Sequence, residues 1–166
     1  MSTLKKNIRL LITLFIILTF SLNLHQVYAA SGSGSSEKDE TSLYKSGKKL
    51  VLKAKKLEKK DKVEKAQKLY LKALVKFEKA YAKDKKNADL LNYFGYALRK
   101  TGDFEKAEIY YLEGLELDAE HLGINEYLGE LYVQTGRIEL AKERLLVLKG
   151  CECEEYDELK ELIEKN

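Results

Sequence analysis

Cysteine is the residue type with the clearest capacity for chemistry in this 166-residue chain, and it occurs only as Cys151 and Cys153. Two thiols separated by one residue can form a local disulfide or thiol pair, or a disulfide to another chain. They can also serve a redox or soft-metal role, for example with Cu(I). A structural zinc site needs four ligands, and no further cysteine or nearby histidine supplies them. The spacing therefore leaves the first three roles open and predicts no zinc site.

Recognised catalytic patterns are missing from the rest of the sequence. It contains no Ser/His/Asp set of known spacing, no His-Glu-x-x-His and no dinucleotide-binding glycine pattern. We interpret His121 as a loop histidine at a junction between repeated units. The many carboxylates are typical of solvated helix faces. We therefore expect no enzyme, no cofactor and no metal site.

The chain begins with a pattern typical of secretory signal peptides. Basic residues among the first nine positions precede an uncharged run from Leu10 to Leu24, and small residues lead up to Ala29. We predict a signal peptide over residues 1–29 and a periplasmic or secreted mature protein. An uncleaved N-terminal membrane anchor facing the periplasm is the alternative. Residues 30–41, which include a Ser-Gly tract, are predicted to form a flexible linker.

Residue types recur at an interval of 34 along the C-terminal half of the chain. The recurring pairs are Gly95 and Gly129, Gly102 and Gly136, and Ala107 and Ala141. A fixed period of this length is typical of stacked helix–turn–helix units, because one such unit is too thin to bury its own apolar face. The chain also has no proline and its apolar residues follow helical spacing. The sequence predicts an all-α solenoid of about three helix hairpins with a C-terminal capping helix.

The clearest unit covers residues 88–121. Gly95 lies inside its first helix, where glycine is tolerable if a second helix must approach closely. Gly102 is expected to adopt a left-handed conformation that ends this helix. Asp103 is expected to cap the N-terminus of the second helix. The unit is therefore predicted to be two helices joined by a tight turn.

The next unit covers residues 122–150 and repeats the pattern with one change. Asn125 stands where the preceding unit has Leu91, so we expect the start of its first helix to be less well sealed. Residues 151–166 contain the cysteine pair and a short amphipathic helix. Terminal repeats of a solenoid need a cover with a polar outer surface. This last helix is predicted to be that cover.

The motif Leu-x-x-Phe-Gly-x-x-Leu…Gly-Asp-x-x-x-Ala-x-x-x-Tyr-x-x-Gly, which runs from Leu91 to Gly114, resembles the tetratricopeptide repeat family. The resemblance covers residues 88–149 well and residues 43–87 in part. The proline that ends repeats in that family is missing. The C-terminal part, with its cysteine pair, is also similar to small secreted proteobacterial proteins of this family.

The first hairpin, residues 42–87, departs from the period. Gly47 is the best counterpart of Gly95, and it precedes that residue by 48 positions rather than 34. The 14 extra positions equal two heptads, which predicts seven more residues on each helix and a hairpin longer by about 10 Å. We place its turn at residues 59–61, with Asp61 as the N-cap of the second helix.

Charge is distributed unevenly along the chain. Residues 37–87 contain 18 lysines and 8 acidic residues, whereas residues 88–166 contain 9 basic and 19 acidic residues. The two halves therefore carry net charges of opposite sign, and this asymmetry concerns partners rather than fold. Self-association through the two halves and contact of the Lys-rich hairpin with an anionic membrane surface are both alternatives. Export and the absence of aromatic stacking platforms disfavour nucleic acid.

The family resemblance implies that the first helices of the hairpins line a concave groove that binds a protein or peptide. The side chains expected to point outward or half outward there are Asn92, Tyr93, Tyr96, Arg99, Glu126, Tyr127 and Glu130. Tyrosine and arginine are good anchors for a partner. Glu126 and Glu130 oppose the binding of an acidic chain end, so a basic segment suits this surface better. We therefore expect an exported, non-enzymatic interaction scaffold, with self-association or a thiol-redox or metal-handling role as alternatives.

Overall fold

The computed structural model describes residues 33–166, and it describes side chains from Asp39 onward apart from Glu40. The predicted signal peptide, residues 1–29, lies outside this range. The described chain forms α1 (Ser33–Glu58), α2 (Val63–Tyr81), α3 (Ala88–Thr101), α4 (Phe104–Leu117), α5 (Leu122–Gln134), α6 (Ile138–Leu148) and α7 (Glu154–Glu164). Successive pairs form three hairpins, and α7 packs against both α5 and α6. The prediction of an all-α solenoid of three hairpins with a capping helix is confirmed.

The turns between helices follow from a few local residues. Gly102 has a φ of 92°, and its N–H bonds to the carbonyl of Arg99. The Asp103 side chain then accepts from the N–H of Lys106, so both predicted caps are confirmed. The expectation for Asp61 is wrong. Asp61 itself has a φ of 54° and lies within the turn, whereas Lys62 is the N-cap and makes no side-chain capping bond.

Close approach of the two helices in a hairpin depends on glycine in the first helix. A Cβ placed on Gly95 would lie 2.6 Å from the ring of Tyr111 in α4. A Cβ on Gly47 would likewise collide with the ring of Phe77 in α2. Because the two glycines meet aromatic rings in the same way, the structure places them at corresponding positions despite their irregular spacing. Aromatic contacts of Phe77 and Tyr81 in α2 with Phe94 in α3 and Tyr110 in α4 then join the first hairpin to the second.

The third hairpin uses its glycine differently. Gly129 is the eighth residue of α5, as Gly95 is the eighth of α3. A Cβ on Gly129 would meet Leu159 of α7 at 2.5 Å. Leu159 is fully buried, whereas Leu145, which follows Gly129 by the same interval as Tyr111 follows Gly95, is only partly buried. The side chain that packs against Gly129 therefore comes from the capping helix.

Asn125 at the start of α5 corrects a further expectation. Its side chain is fully buried, and its amide nitrogen donates to the backbone carbonyls of Ala119 and His121, both at 3.1 Å. Arg144 of α6 donates to its carbonyl oxygen at 3.4 Å. The start of this helix is therefore sealed by hydrogen bonds in place of the apolar contact that Leu91 makes. A buried amide is stable only when it is satisfied in this way.

The first helix begins earlier than the sequence suggested. We predicted a flexible linker over residues 30–41, but α1 starts at Ser33. A helix already fixed by packing further along extends cheaply, since each added residue contributes a hydrogen bond without a new nucleation step. None of the helices within residues 33–166 has both the length and the hydrophobicity needed to cross a bilayer.

Candidate functional site

The surface formed by α1, α3 and α5 contains all seven residues that the sequence singled out, and we call it the first-helix surface. Its centre is filled by a lysine from α1. Lys55 Nζ donates to Tyr127 Oη at 3.1 Å and lies 5.3 Å from the ring centres of both Tyr96 and Tyr127. Lys48, about two turns earlier on α1, lies 4.8 Å from the ring centre of Tyr93. Cation–π contacts and lysine stems from α1 therefore cover this part of the surface.

Arg99 of α3 also contacts two of these tyrosines. Its guanidinium carbon lies 5.3 Å from the ring centre of Tyr96 and 5.8 Å from that of Tyr127. The same group forms an ion pair with Glu130 of α5. Burial raises the pKa of Tyr96 to about 12, so its hydroxyl stays protonated over the physiological range. These side chains are fixed by one another, which makes the surface rigid.

This packing corrects the expected exposure of the predicted residues. Asn92, Tyr96, Arg99 and Glu126 were expected to face outward, yet each is buried, with at most 5% of its surface exposed. The remaining three, Tyr93, Tyr127 and Glu130, are partly exposed. Lys55 of α1 lies against Tyr96, and Glu126 lies against Glu158 of the capping helix. The role of all seven in partner binding stays a prediction.

A cluster of three carboxylates lies where α5 meets the capping helix. Glu126, Glu130 and Glu158 place one oxygen each within 4.8 Å of the others. Burial, a hydrogen bond with Glu158 and the charge of Glu130 raise the pKa of Glu126 to about 9. Glu126 therefore holds a proton at neutral pH, and Arg99 pairs with Glu130. The sequence could not show this cluster, because Glu158 lies on a different helix.

An open cavity of about 410 Å³ lies beside this cluster, at the N-terminal ends of α3, α5 and α7. It is lined by Asp89, Asn92, Tyr93, Asp118, Glu120, His121, Leu122, Gly123, Glu126, Tyr127 and Glu155. Four of the predicted residues therefore line one cavity. The other three, Tyr96, Arg99 and Glu130, do not line it and belong to the filled centre of the surface.

The segment between α4 and α5 lines part of the cavity. His121 is the N-cap of α5, and its Nδ1 accepts from the N–H of Ile124 at 3.2 Å. Its Nε2 lies 3.5 Å from a carboxylate oxygen of Asp89. A Cβ on Gly123 would lie 2.6 Å from the Asn92 side-chain nitrogen, so glycine allows that amide to approach the backbone. The loop histidine of the sequence analysis is thus a capping residue that also lines the cavity.

Sequence reasoning missed most of the acidic lining of this cavity. Asp118 and Glu120 occupy the end of one repeat, and Glu155 the first turn of the capping helix. Nothing in the 34-residue period indicates that these positions come together, since the period describes the hairpins and not α7. Only the high acidic content after residue 88 indicated such a site.

The cysteine pair lies immediately before the capping helix. The structure joins Cys151 and Cys153 in a disulfide, with their Cα atoms 5.2 Å apart, and Cys153 is the N-cap of α7. Of the alternatives that the spacing left open, the structure thus has the local disulfide. The disulfide closes a short loop in the segment between α6 and α7, just before the helix that carries Glu155 and Leu159.

Comparison with known proteins places this architecture in context. Residues 76–109 match the sequence model of the tetratricopeptide repeat. No curated protein sequence matches the chain. A tetratricopeptide repeat protein from Parabacteroides merdae shares the fold with a TM-score of 0.53 and 18% identity, over 73% of this chain and 60% of that one. The present chain therefore spans less than two thirds of that relative.

Two further structures are similar along nearly their whole length. The second tetratricopeptide domain of human RPAP3, solved in complex with an HSP70 peptide, gives a TM-score of 0.52 and 21% identity, over 76% of this chain and 99% of that one. The tetratricopeptide domain of Arabidopsis OM64 gives 0.50 and 14%, over 74% and 98%. At these identities the likeness concerns the fold.

Proposed function

We propose that the chain is an interaction module that docks a protein or peptide partner at the cavity between α3, α5 and α7, since residues 76–109 match the tetratricopeptide repeat. The observation that carries this proposal is the cavity itself, which is open and holds four residues of the first-helix surface. The human domain bound to an HSP70 peptide supports the same kind of function for this fold. Fold alone does not fix the partner.

The rigidity of the surrounding surface also supports docking. Lys55, Tyr96 and Arg99 are held by mutual contacts before any partner arrives. A preformed surface loses little side-chain freedom on binding, so more of the contact energy appears as affinity. Binding of this kind involves no bond-making step, and we propose no catalytic role.

The cavity can be tested by blocking it without emptying the core. Leu122 lines the cavity and is 40% exposed, so Leu122→Trp is expected to fill the space with little loss of stability. Leu112 of α4 is 45% exposed and lies outside the cavity, which makes Leu112→Trp a matched control. A random peptide library is displayed against the full mature chain and both variants. We expect peptides that bind the native protein and Leu112→Trp, and that lose binding to Leu122→Trp.

Two results of this experiment would refute the docking site. One is a library in which no peptide is enriched on the native protein. The other is enrichment that Leu122→Trp retains in full. Circular dichroism of both variants confirms that each keeps its helices, so a loss of binding cannot be assigned to unfolding.

We further propose that the protein works outside the cytoplasm. The N-terminal pattern supports export, and the Cys151–Cys153 disulfide supports an oxidising compartment, where such bonds persist. Cell fractionation with mass spectrometry of the mature N-terminus tests this directly. A chain that begins near Ala30 in the periplasm or medium is expected. A full-length chain in the membrane fraction would instead support the uncleaved anchor, and a cytoplasmic chain would reject export.

A further inference from the structure

We infer that the outer face of α2 and α4 is a self-association surface, through which two copies of this chain pair about a two-fold axis. The outer face is formed by Leu71 and Val75 of α2 and by Ile109 and Leu112 of α4, with the charged residues beside them. In the dimer, α2 of each copy packs on α4 of the other. The inference is independent of the docking cavity, because no residue that lines the cavity lies on α2 or α4.

The centre of the outer face consists of large apolar side chains that point away from the core. All four are between 45% and 60% exposed. Leu71 and Val75 are four residues apart, and Ile109 and Leu112 are three apart, so the members of each pair are neighbours on the helix surface. The other side of each helix is already buried in the core. Apolar residues on both sides of a helix are typical of one that is covered on both sides.

The two apolar pairs belong to helices that lie side by side. Tyr81 Oη of α2 donates to both carboxylate oxygens of Glu113 in α4 at 2.9 Å, and the rings of Tyr81 and Tyr110 lie 5.2 Å apart. Val75 and Ile109 are separated by one 34-residue period, so they occupy corresponding positions on the two helices. The pairs therefore face the same side of the stacked hairpins and form one apolar patch, of the kind that marks an interaction site.

The charged residues beside the patch differ between the two helices. α2 contains five lysines and two glutamates, whereas α4 contains four glutamates and one lysine. Lys68 and Lys72 each precede an apolar residue of α2 by three positions. Glu105 and Glu116 each lie four positions from an apolar residue of α4, so all four are within one helical turn of the patch. All four are exposed, and none of them forms an ion pair with another side chain of residues 39–166.

This opposition of charge makes the outer face complementary to itself. A two-fold dimer uses the same surface on both copies, so contact of α2 with α4 on one side of the axis is repeated on the other side. The pairing places apolar residues against apolar residues and the lysines of α2 opposite the glutamates of α4. Contact of α2 with α2, or of α4 with α4, would bring like charges together and is disfavoured. Because one chain supplies both complementary halves, the occupant of this surface is a second copy.

Sedimentation of the full mature chain over a range of concentrations tests the apolar part of the surface. We expect a reversible dimer, and we expect Ile109→Glu to weaken dimerisation at least about tenfold by placing a charge in the patch. Leu146→Glu on α6 is the matched control, since Leu146 is equally apolar and more exposed but lies on neither helix of the outer face. A native chain that remains monomeric at about 1 mM would overturn the inference. Equal weakening by both variants would also overturn it.

Reversal of charge tests the pairing of α2 with α4. One variant carries Lys68→Glu with Lys72→Glu, and the other carries Glu105→Lys with Glu116→Lys. Each variant alone has like charges on both halves of the interface, so each is expected to be monomeric. When the two are mixed, both halves become complementary again, and native mass spectrometry is expected to show a heterodimer with one copy of each. Mixed variants that both stay monomeric, while the native chain dimerises, would overturn the proposed pairing.

A control mixture separates contact at the outer face from attraction between oppositely charged chains. Lys45→Glu with Lys53→Glu makes the same charge change at exposed residues of α1. Mixed with the variant of Glu105 and Glu116, it offers only one complementary half, so no comparable heterodimer is expected. Equal heterodimer formation in the control mixture would overturn the inference, because long-range attraction would then explain the result. Circular dichroism verifies that every variant keeps its helices.

The dimer and the docking function can fail separately. Ile109→Glu is expected to keep the binding of library peptides at the cavity, since the cavity lining lies outside α2 and α4. Leu112→Trp keeps an apolar side chain on the outer face, so it remains the control for the cavity. A monomeric native chain that still binds library peptides would overturn the dimer and leave the docking function standing.

Discussion

The second and third hairpins each have a glycine at the eighth position of their first helix, but a different helix packs against it in each hairpin. Gly95 of α3 receives Tyr111, which comes from its own hairpin. Gly129 of α5 receives Leu159, which comes from the capping helix thirty residues later. The repeat thus determines where the glycine lies, whereas tertiary packing determines which helix supplies the side chain that packs against it. The third hairpin therefore depends on α7 in a way that the second does not.

Truncating the two filling side chains should produce the largest effects. Tyr111→Ala is expected to lower the free energy of unfolding by about 4 kcal/mol, and Leu159→Ala by about 3 kcal/mol, since both side chains are fully buried. The two variants should differ in which helices lose stability. Hydrogen exchange of Leu159→Ala is expected to lose protection in α7 while α3 and α4 stay protected. Global loss in both variants would show that the hairpins are not independently stabilised.

Replacing each glycine by alanine should have the next largest effect, and the loss of stability should differ between the two positions. Gly95→Ala meets a buried aromatic ring at 2.6 Å, and we expect it to cost about 2 kcal/mol in urea denaturation. Gly129→Ala meets the flexible end of Leu159 on a terminal helix at 2.5 Å. That side chain can shift, and alanine gains about 1 kcal/mol of helix propensity, so its stability should change little. An equal loss of unfolding free energy in the two variants would contradict the different packing around the two glycines.

The contact between α5 and α7 should also respond to pH. Glu126 has a pKa of about 9 in the folded chain against 4.5 when unfolded, so the folded state binds the extra proton between these values. Stability is therefore greatest below pH 4.5 as far as this group is concerned. It falls by up to about 1.4 kcal/mol per pH unit until pH 9.

Glu126→Gln provides the reference for this pH dependence. Glutamine keeps a neutral donor toward Glu158, so the variant should match the native protein near pH 5 and exceed it in stability near pH 8. The charged groups near Glu126 are Lys55 from α1, Glu130 from α5 and Glu158 from α7. Arg99 of α3 pairs with Glu130. These groups remain in both proteins, which isolates the Glu126 contribution. Parallel pH profiles of chemical unfolding would disprove the buried proton.

The smallest effect concerns the start of the third hairpin. Asn125→Leu restores the residue type that the second hairpin has at Leu91, yet it removes the bond to the Ala119 carbonyl and leaves Arg144 without its partner. We expect a loss of about 1 kcal/mol in thermal or urea unfolding. An increase in stability would mean that the two hairpin starts are interchangeable.

Local features of the fold were accessible from sequence because they depend on neighbours in the chain. The left-handed Gly102 and the Asp103 cap follow from the turn alone. The close approach of a second helix at Gly95 was also expected, whereas the ring of Tyr111 that meets it is a finding of the structure. Asp61 shows the limit, since a residue suited to capping instead takes the positive φ that the turn needs.

The candidate site was less predictable because it joins distant segments. The burial of Tyr96 and Arg99 depends on where α1 places Lys55, and the irregular spacing of the first hairpin hid that register. Glu155 reaches the cavity only through the packing of α7, which no period describes. Sequence therefore indicated the surface and its acidity, and tertiary packing decided which residues stay open.

The capping helix has a consequence for how long the array can grow. It occupies both α5 and α6, the two helices on which a fourth hairpin would have to stack, and Leu159 already sits in the last glycine recess. A fourth hairpin could stack here only if α7 were displaced from α5 and α6. Because Glu155 lies on α7, that displacement would also remove part of the lining of the acidic cavity. The stacking of further hairpins and the lining of the proposed docking site thus depend on one short segment.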